Sequence, residues 1–403
     1  MTQQRFVLLD DGDCADAAGA AGAGAAAARR RSRLYTGFSH EHRSTLGAAD
    51  SVGADCERVC ALVEADLRRG LFAVLLADYE WGVALAGEAG RGNANANANA
   101  NANANANANA NANANANANA NANANANANA GASPTLRFLL FYSLERLSAA
   151  EVDARLVALE HEHEHGAAAP SLLAAAAGLA HLSADVSREQ FAAAFSRIQQ
   201  ALRDGDVYQV NYTFRLAARM FGSPVSLYRR LRASQPARYG ALIADGEQWV
   251  LSCSPELFLE HRAGRIAAQP MKGTAARAPQ LERCAEADAA VGVRLSQDPK
   301  NRAENLMIVD LLRNDLGKIA IPGSVSVPRL FETRALPTVW QMTSSVAAQL
   351  PPNISLASTL RALFPCGSIT GAPKLSAMRL IETLESTSRG LYTGAIGWLD
   401  AAA

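Results

Sequence analysis

The sequence Ile266-Ala-Ala-Gln-Pro-Met-Lys-Gly-Thr-Ala-Ala-Arg277 places a lysine directly after a short apolar strand that ends in a proline. An amine is a nucleophile only when it is neutral, and partial burial lowers the pKa of a lysine toward that state. Gly273 would let a ligand approach the backbone closely, and Thr274 offers a hydroxyl. The alternative is an exposed turn lysine beside a structural glycine, so the case for Lys272 as a catalytic residue depends on the rest of the chain.

Strand and helix patterns precede this stretch. Ser187 and Gln190 predict a capping box at the start of a helix that runs to Asp204, and Gly205 ends the helix. Apolar residues at helical spacing give this helix one stripe, formed by Phe191, Phe195, Ile198 and Leu202. The following segments predict a helix at 226–233 and strands at 207–216, 239–244, 249–252 and 257–261. We therefore expect a sheet-rich core with helices laid on it.

The N-terminal half shows the same mixture. Residues 5–10 and 72–79 are apolar enough for buried strands, and 136–142 predicts another. Between the first two, residues 56–69 carry apolar side chains at helical spacing, and Gly70 follows as a stop signal. This half therefore also alternates helix and sheet.

Residues 93–130 are an uninterrupted Asn-Ala repeat. One face of such a segment would be all Ala and the other all Asn, so it can bury little to offset the entropy lost on ordering. We expect no stable structure there. The repeat divides the chain into a first N-terminal part (1–92), its continuation (131–183) and a catalytic region (184–403).

A histidine-rich segment, His161-Glu-His-Glu-His165, allows two interpretations. Alternating imidazoles and carboxylates could bind zinc or nickel, but the three histidines would share one face only in an extended segment. Gly166 and an Ala-rich stretch follow, and no further ligand is nearby in sequence. We predict a polar loop.

Composition excludes some classes of protein. Lys plus Arg and Asp plus Glu are 38 each among 403 residues, so no global field favours nucleic acid or an anionic membrane. The six cysteines are scattered without a CxxC pair, which is typical of free thiols in a reducing cytoplasm. No apolar run reaches the length of a membrane span. A small molecule is the expected partner, in a cytoplasmic protein.

Five segments resemble one family in order and spacing. They are Gly205-Asp-Val-Tyr-Gln-Val-Asn211, Ser254-Pro-Glu-Leu-Phe258, Pro270-Met-Lys-Gly-Thr274, Glu304-Asn-Leu-Met-Ile-Val-Asp-Leu-Leu-Arg-Asn-Asp-Leu-Gly317 and Gly367-Ser-Ile-Thr-Gly-Ala-Pro-Lys374. The family is that of the chorismate-utilising enzymes, which includes anthranilate synthase component I, aminodeoxychorismate synthase component I and the isochorismate and salicylate synthases. The resemblance covers roughly residues 187–400. It implies an α+β fold in which two mixed β-sheets pack together with helices outside, as in anthranilate synthase component I.

Lys272 discriminates within that family. The chain resembles aminodeoxychorismate synthases in its Lys-Gly-Thr sequence, where anthranilate and isochorismate synthases characteristically have Ala-Gly-Thr. The implied reaction replaces the C4 hydroxyl of chorismate by ammonia and gives 4-amino-4-deoxychorismate, on the route to 4-aminobenzoate and folate. Gln341 stands where anthranilate synthase carries a histidine, which weakens the anthranilate alternative.

The resemblance also implies roles for individual residues. Lys272 matches the nucleophile and Glu256 the catalytic acid and base, and a glutamate at 304 suits Mg²⁺, which prefers oxygen ligands. The positions that match chorismate contacts are Gly273, Thr274, Ser368 and Tyr392. Glu304 has a second interpretation, that of a favourable charge in the first turn of a helix.

Partners and alternatives complete the expectations. Ammonia is expected from a separate glutamine amidotransferase, because no Cys/His pattern of a glutaminase is visible in the sequence. The chain ends at Ala403, before the family domain usually ends, so we expect a C-terminally truncated enzyme. The alternatives are an anthranilate or isochorismate synthase, or a catalytically silent subunit that only binds the amidotransferase.

Overall fold

A computed structural model describes residues 5–12, 32–46, 51–88, 133–164, 177–278 and 284–400. The Asn-Ala repeat and His165 lie outside the described residues. None of the described helices combines the length and the apolar character that crossing a membrane requires.

The larger of two main sheets has seven strands, and every neighbouring pair is antiparallel. In spatial order its strands are β16 (Ala395–Leu399), β3 (Phe72–Ala77), β4 (Thr135–Leu147), β2 (Ser32–Thr45), β1 (Phe6–Asp10), β8 (Tyr239–Asp245) and β9 (Gln248–Ser254). The strands predicted at 5–10, 72–79 and 136–142 are confirmed. The sheet takes strands from both sides of residue 184, and the domain division stays a prediction.

The side chains of each strand alternate between the two faces of this sheet, and helices cover the apolar side chains of one face. Leu136, Phe138 and Leu140 on β4 pack against helix α1 (Val52–Arg68) and the following helix α2 (79–88). Further along the same sheet, helices α3 (Ala149–Glu164) and α5 (Pro224–Ser234) cover Phe6, Leu8 and Leu242. The intervening residues, such as Leu139 and Phe141, form a separate apolar cluster.

The second main sheet has five strands. They are β10 (Leu257–Arg262), β11 (Arg265–Gln269), β14 (Val339–Gln349) and β12 (Met271–Ala276), with β13 (Ser326–Ala335) also pairing with β14. Helices α6 (Ala285–Gln297) and α7 (Pro299–Gly317) accompany it. Ile308 and Leu312 of α7 pack on Ile266, Ala268 and Val346, and all five side chains are buried.

The two sheets meet through helix α8 (Leu356–Leu363) and the residue that follows it. Leu360 belongs to the core beside the first sheet and Leu363 to the core beside the second. The Phe364 ring contacts both Trp81 and Phe258, at centroid distances of 6.3 and 5.8 Å. This confirms the α+β fold with two main sheets, but the described strand pairs are antiparallel and not mixed. Tight turns, as between β8 and β9, join neighbouring strands directly, so no parallel crossover is needed.

Smaller elements surround the second half. Helix α4 (Arg188–Asp204) has the predicted Ser187/Gln190 capping box and ends at Gly205 in a left-handed conformation. Two short ladders pair β5 (Gly178–Ala184) with β7 (Leu216–Phe221), and β6 (Gln209–Val210) with β15 (Gly371–Ala372). The one-turn helix α9 (Gly367–Thr370) and helix α10 (Lys374–Leu384) flank β15.

Three details differ from the sequence predictions. The strand predicted at 207–216 is wrong over most of its length, because only Gln209–Val210 pair there and the next strand begins at Leu216. The polar loop predicted at His161 is wrong over the described part, because α3 continues through Glu164. The apolar stripe of α4 is only partly buried: Ile198 is 7% exposed, whereas Phe191 and Phe195 are 42% and 49% exposed. The period of a pattern predicts which side chains share a face, but it does not say whether another element covers that face.

Candidate active site

Lys272 lies at a bulge in strand β12. The pairing of β12 with β14 shifts between Met271 and Thr274, and bulges of this kind re-aim a side chain. The Lys272 Nζ donates a hydrogen bond to Asn211 Oδ1 at 3.2 Å. Asn211 in turn donates through Nδ2 to the backbone oxygen of Ser368 at 3.1 Å. One amide side chain therefore joins the lysine to the Gly367–Lys374 segment.

Glu256 contacts the same segment through Ser368. Its Oε1 accepts a hydrogen bond of 2.7 Å from Ser368 Oγ, which also lies 3.2 Å from Cys366 Sγ. Ser368 is 3% exposed. The structure thus brings together Lys272, Glu256 and Ser368, three of the residues that the resemblance assigned to the site.

The protonation of this group departs from ordinary values. Burial lowers the pKa of Lys272, although the charges of Glu256 and Glu304 act against that shift. Burial raises the pKa of Glu256, opposed by the Ser368 hydrogen bond and by Lys272. A lysine that loses its proton more easily and a carboxyl that keeps its proton longer are suited to a nucleophile and an acid, respectively.

Gly273 is required by its backbone conformation. Its φ is +97°, a region that side chains disfavour. A Cβ at this position would lie 3.1 Å from Asn301 Cβ and 3.2 Å from Met342 Cβ. The next residue, Thr274, is exposed and donates through Oγ1 to Gln341 Oε1 at 3.0 Å. The glutamine that replaces the histidine of anthranilate synthases therefore contacts a predicted substrate residue directly.

Glu304 does not open its helix. Helix α7 begins at Pro299 with Asp298 as its N-cap, so Glu304 lies in the second turn, and the first-turn charge interpretation is wrong. The Asp298-Pro299 pair supplies a capping side chain and a favourable first helical residue, which the sequence analysis did not use. The Glu304 side chain is 43% exposed and lies 3.9 Å from Lys300 Nζ.

The second half of the Gly367–Lys374 segment is fixed by two neighbouring elements. The backbone nitrogens of Tyr208 and Asn211 donate to the oxygens of Ala372 and Thr370, at 2.6 and 2.9 Å. Lys374 Nζ lies 2.5 Å from Asp315 Oδ2 of helix α7, and the Asp315 side chain is 3% exposed. These contacts hold Ser368 at a defined position between two elements.

Tyr392 lies further from this group. It is 65% exposed and lines a surface cleft of about 270 Å³ with Thr213, Arg215 and Thr387. Its backbone nitrogen donates to Arg389 O at 3.3 Å. Its link to Lys272 runs through Arg389 and Asn211.

The sequence analysis missed three supporting residues. Asn211 stands at the end of a quoted motif, but no role was assigned to it. Asn305 is fully buried and donates to the backbone oxygen of Lys272 at 3.2 Å, and it accepts from Ser344 Oγ at 2.5 Å. Arg389 donates to the backbone oxygen of Asn211 at 2.6 Å and pairs with Glu385. The available sequence signal is a polar residue at a position that is buried in the fold. A single sequence does not distinguish such a residue from a polar residue on the surface.

Comparison with characterised proteins places these motifs in context. The chain is 45% identical over 216 residues to aminodeoxychorismate synthase component 1 of Klebsiella aerogenes, covering 54% of this chain and 47% of the relative. It is 40% identical over 215 residues to the protein of the same name from Escherichia coli, covering 53% and 47%. The chain thus spans about half the length of these curated relatives.

Solved structures show the same fold. Anthranilate synthase component I from Streptococcus pneumoniae is similar with a TM-score of 0.54 and 27% identity, covering 67% of this chain and 63% of that one. The menaquinone-specific isochorismate synthase of Escherichia coli is similar with a TM-score of 0.61 over 99% of this chain and 77% of its own, at 14% identity. The second likeness concerns the fold alone.

The family assignment follows from the extent of one further match. Residues 49–403 match the family described as chorismate binding enzyme, and they include all five quoted motifs together with Lys272, Glu256 and Ser368. The chain belongs to the chorismate binding enzyme family.

Proposed function

We propose that this chain acts as an aminodeoxychorismate synthase component I, which converts chorismate and ammonia to 4-amino-4-deoxychorismate for 4-aminobenzoate and folate synthesis. The observation that carries this proposal is the partly buried Lys272, hydrogen-bonded to Asn211 and electrostatically coupled to Glu256. In the proposed reaction the Lys272 amine is the nucleophile. The names and identities of the bacterial relatives support the same reading.

The proposed chemistry consists of two allylic displacements. The neutral Lys272 Nζ forms a bond to C2 of the chorismate ring, the ring double bonds shift, and the C4–O bond breaks. Hydroxide is a poor leaving group, so a proton from Glu256 converts it to water. Ammonia then forms a bond to C4, the double bonds shift back, the C2–N bond breaks and the lysine is released.

The residues around Lys272 have positioning roles in this proposal. Asn211 accepts from Nζ and leaves the nitrogen lone pair directed elsewhere, while Asn305 holds the backbone of the lysine. Ser368 orients the Glu256 carboxyl. Gly273, Thr274, Ser368 and Tyr392 are the proposed substrate contacts.

A magnesium ion is part of the proposal. Glu304 fits this ion because its partly exposed carboxylate supplies a hard oxygen ligand and leaves room for several bound waters. When bound, Mg²⁺ would offset the negative charge of a dicarboxylate substrate. The charge of Glu304 raises the pKa of Lys272, against the effect of burial.

The source of ammonia is proposed to be a separate glutamine amidotransferase. The words "component 1" in the names of the bacterial relatives support a second component, although they do not identify it. We also propose a cytoplasmic location, in which the five described cysteines remain the free thiols that the structure contains.

The test is turnover of chorismate with ammonium and Mg²⁺, with products resolved by mass. We expect aminodeoxychorismate from the parent chain and a loss of at least about 100-fold in Lys272→Ala, since removal of a covalent catalyst leaves only binding effects. Lys318→Ala, on a half-exposed lysine at the end of helix α7, is the matched control. Anthranilate or isochorismate as the product would contradict the proposal. If no product forms, the same assay on a longer chain that extends past Ala403 decides between a missing segment and a wrong assignment.

A further inference from the structure

Two histidines and an aspartate converge on one face of the first sheet, between its central strand β2 and helix α1. His40 and His42 are two residues apart on β2, so their side chains lie on the same face of the sheet. Both rings point to Asp66 near the C-terminal end of α1. His40 Nε2 lies 2.8 Å and His42 Nε2 lies 2.7 Å from the same oxygen, Asp66 Oδ2. The two Nε2 atoms are 3.2 Å apart.

Hydrogen bonds can hold these three atoms together, but two imidazole nitrogens and a carboxylate oxygen that converge so closely also form a ligand set for a cation. If both rings carried the proton on Nε2, two N–H groups would be directed at one carboxylate oxygen from nitrogens that face each other. If one ring lacked that proton, its Nε2 could accept from the Nε2–H of the other ring, at 3.2 Å. A cation placed among the three atoms would satisfy both nitrogens and the oxygen together.

The surroundings have the features of a metal site. Ser39 Oγ lies 3.0 Å from His40 Nδ1, so a serine oxygen can accept from Nδ1–H and leave Nε2 free to ligate. Arg69 Nη1 lies 3.0 Å from Asp66 Oδ1, the oxygen that the histidines do not use. The Asp66 side chain is 6% exposed and that of His40 is 38% exposed. The group is therefore anchored on one side and open to solvent on the other.

The spacing and the ligand types select the metal. Bonds of about 2.0–2.2 Å from zinc to nitrogen and oxygen imply distances of roughly 3.4 Å between ligand atoms in a tetrahedron. The three atoms need to separate by only about half an ångström to reach those distances. Two imidazoles suit zinc, cobalt, nickel or copper, whereas Mg²⁺ and Ca²⁺ prefer oxygen.

We propose that His40, His42 and Asp66 form a binding site for a divalent transition metal of the zinc class, with the remaining position open to water. Such an ion would tie β2 to α1 in the N-terminal part of the chain. The site is separate from the chorismate chemistry, and its test does not depend on the proposed function.

The experiment measures binding of Zn²⁺ and Co²⁺ to the full chain. To remove the other histidine-rich segment, the background variant carries His161→Ala, His163→Ala and His165→Ala. We expect one equivalent of Zn²⁺ to bind and to raise the melting temperature by mass action, and Co²⁺ to give visible absorption bands that Zn²⁺ abolishes. Both readouts are independent of catalysis.

Substitutions separate this site from incidental binding. His42→Gln and Asp66→Asn should each weaken Zn²⁺ binding by more than about 100-fold, because even the loss of an outer partner costs 10–100-fold. His261→Gln, at an exposed histidine of strand β10, is the matched control and should change nothing. Circular dichroism and melting in chelator verify that each variant is folded. The proposal is overturned if the folded background variant binds no Zn²⁺, or if the two ligand variants bind it as well as the control does.

Discussion

Lys272 and Glu256 illustrate how two opposing influences set the protonation of one site. Burial lowers the pKa of the lysine, while the negative charge of Glu256 raises it by stabilising the ammonium form. Glu256→Gln removes that charge but keeps the shape of the side chain. We therefore predict that Glu256→Gln lowers the pKa of Lys272 further below its ordinary value of 10.5.

The pKa of Lys272 can be measured by NMR without crowded spectra, because the chain contains only four lysines, at 272, 300, 318 and 374. Reductive ¹³C-methylation followed by an NMR titration gives one signal per lysine, assigned with single Lys→Arg variants. Lys300, which is 84% exposed, reports any general effect of the substitution. An unchanged or raised pKa at Lys272 would show that Glu256 does not act on the amine.

A second prediction concerns the pH dependence of turnover. The proposed reaction needs a neutral Lys272 and a protonated Glu256, and burial shifts their pKa values toward each other from 10.5 and 4.5. The plot of kcat/KM against pH should be bell-shaped, rising and falling within that interval. In Glu256→Gln one limb should disappear and the rate should fall about 10²–10⁴-fold. A variant with the parent profile would exclude Glu256 as the acid.

Some residues of the candidate site could be predicted from the sequence, and others could not. Lys272, Glu256 and Ser368 stand in segments whose order resembles a known family, and the structure joins them through hydrogen bonds. Asn211 and Asn305 support them through partners more than 30 positions away in the chain. Such contacts arise only from tertiary packing, so local patterns carry no signal for them.

At the scale of elements, Gly371 fixes the crossing of β15 and β6. Its φ and ψ are 152° and −171°, a region that is essentially restricted to glycine, and a Cβ would lie 2.1 Å from the backbone oxygen of Gln209. We predict that Gly371→Ala lowers the free energy of unfolding by about 3 kcal/mol or more, because strain and a backbone clash add. Urea unfolding measures the loss.

The matched control for this change is Gly317→Ala at the end of helix α7. No atom lies within 4 Å of a Cβ built there. Its stability should stay within about 1 kcal/mol of the parent. Equal losses in both variants would mean that the crossing at Gly371 tolerates a side chain.

The ion pair between Lys374 and Asp315 joins helix α10 to helix α7. Asp315 is 2% exposed, so Asp315→Asn leaves a mostly buried ammonium without its counter-charge. We predict a loss of about 3–5 kcal/mol in the free energy of unfolding. Asp310→Asn, on an exposed pair of the same helix, should cost less than about 1 kcal/mol. The double variant Asp315→Asn/Lys374→Met completes a double-mutant cycle. If its loss of unfolding free energy equals the sum of the losses in the two single variants, the two residues are not coupled.

Helices were predictable where the residues at their own ends specify capping. Ser187, Gln190 and Gly205 define α4 correctly because capping is a local interaction. The end of α3 was missed because the alternation of His and Glu was interpreted as an extended loop, although glutamate is a good helix former. The burial of an element depends on its neighbours, which is why the stripe of α4 was predicted as a face but its exposure was not.

At the scale of the whole molecule, the first sheet links distant parts of the chain. β1 pairs with β8 and β16 with β3, so the N-terminal strands and those of the second half share one hydrogen-bonded layer. No local pattern specifies these partners, since a strand's sequence predicts its alternation and not its neighbour. We therefore expect the described elements to unfold as one cooperative unit.

The Asn-Ala repeat tests this cooperative unit directly. It lies between the C-terminal end of helix α2 and strand β4, and the hydrogen bond from Asp78 N to Thr135 O at 2.9 Å ties the start of β4 to the residue that precedes α2. Replacing residues 93–130 by a linker of about eight Gly and Ser residues would shorten the connection about threefold, which changes the entropy of closure by only about 1 kcal/mol. We predict one unfolding transition, with fluorescence and circular dichroism coincident, and a stability raised by no more than that amount.

A control of unchanged length separates length from composition. Replacing the same residues by a Gly and Ser segment of equal length should leave the unfolding midpoint where it is in the parent, because the closure entropy is then nearly unchanged. If the short linker instead splits the transition in two or lowers the midpoint while the long one does not, the connection is too short for the arrangement of α2 and β4. If both replacements lower the midpoint, the repeat itself stabilises the fold through contacts of its asparagines, and the prediction that it forms no stable structure is wrong.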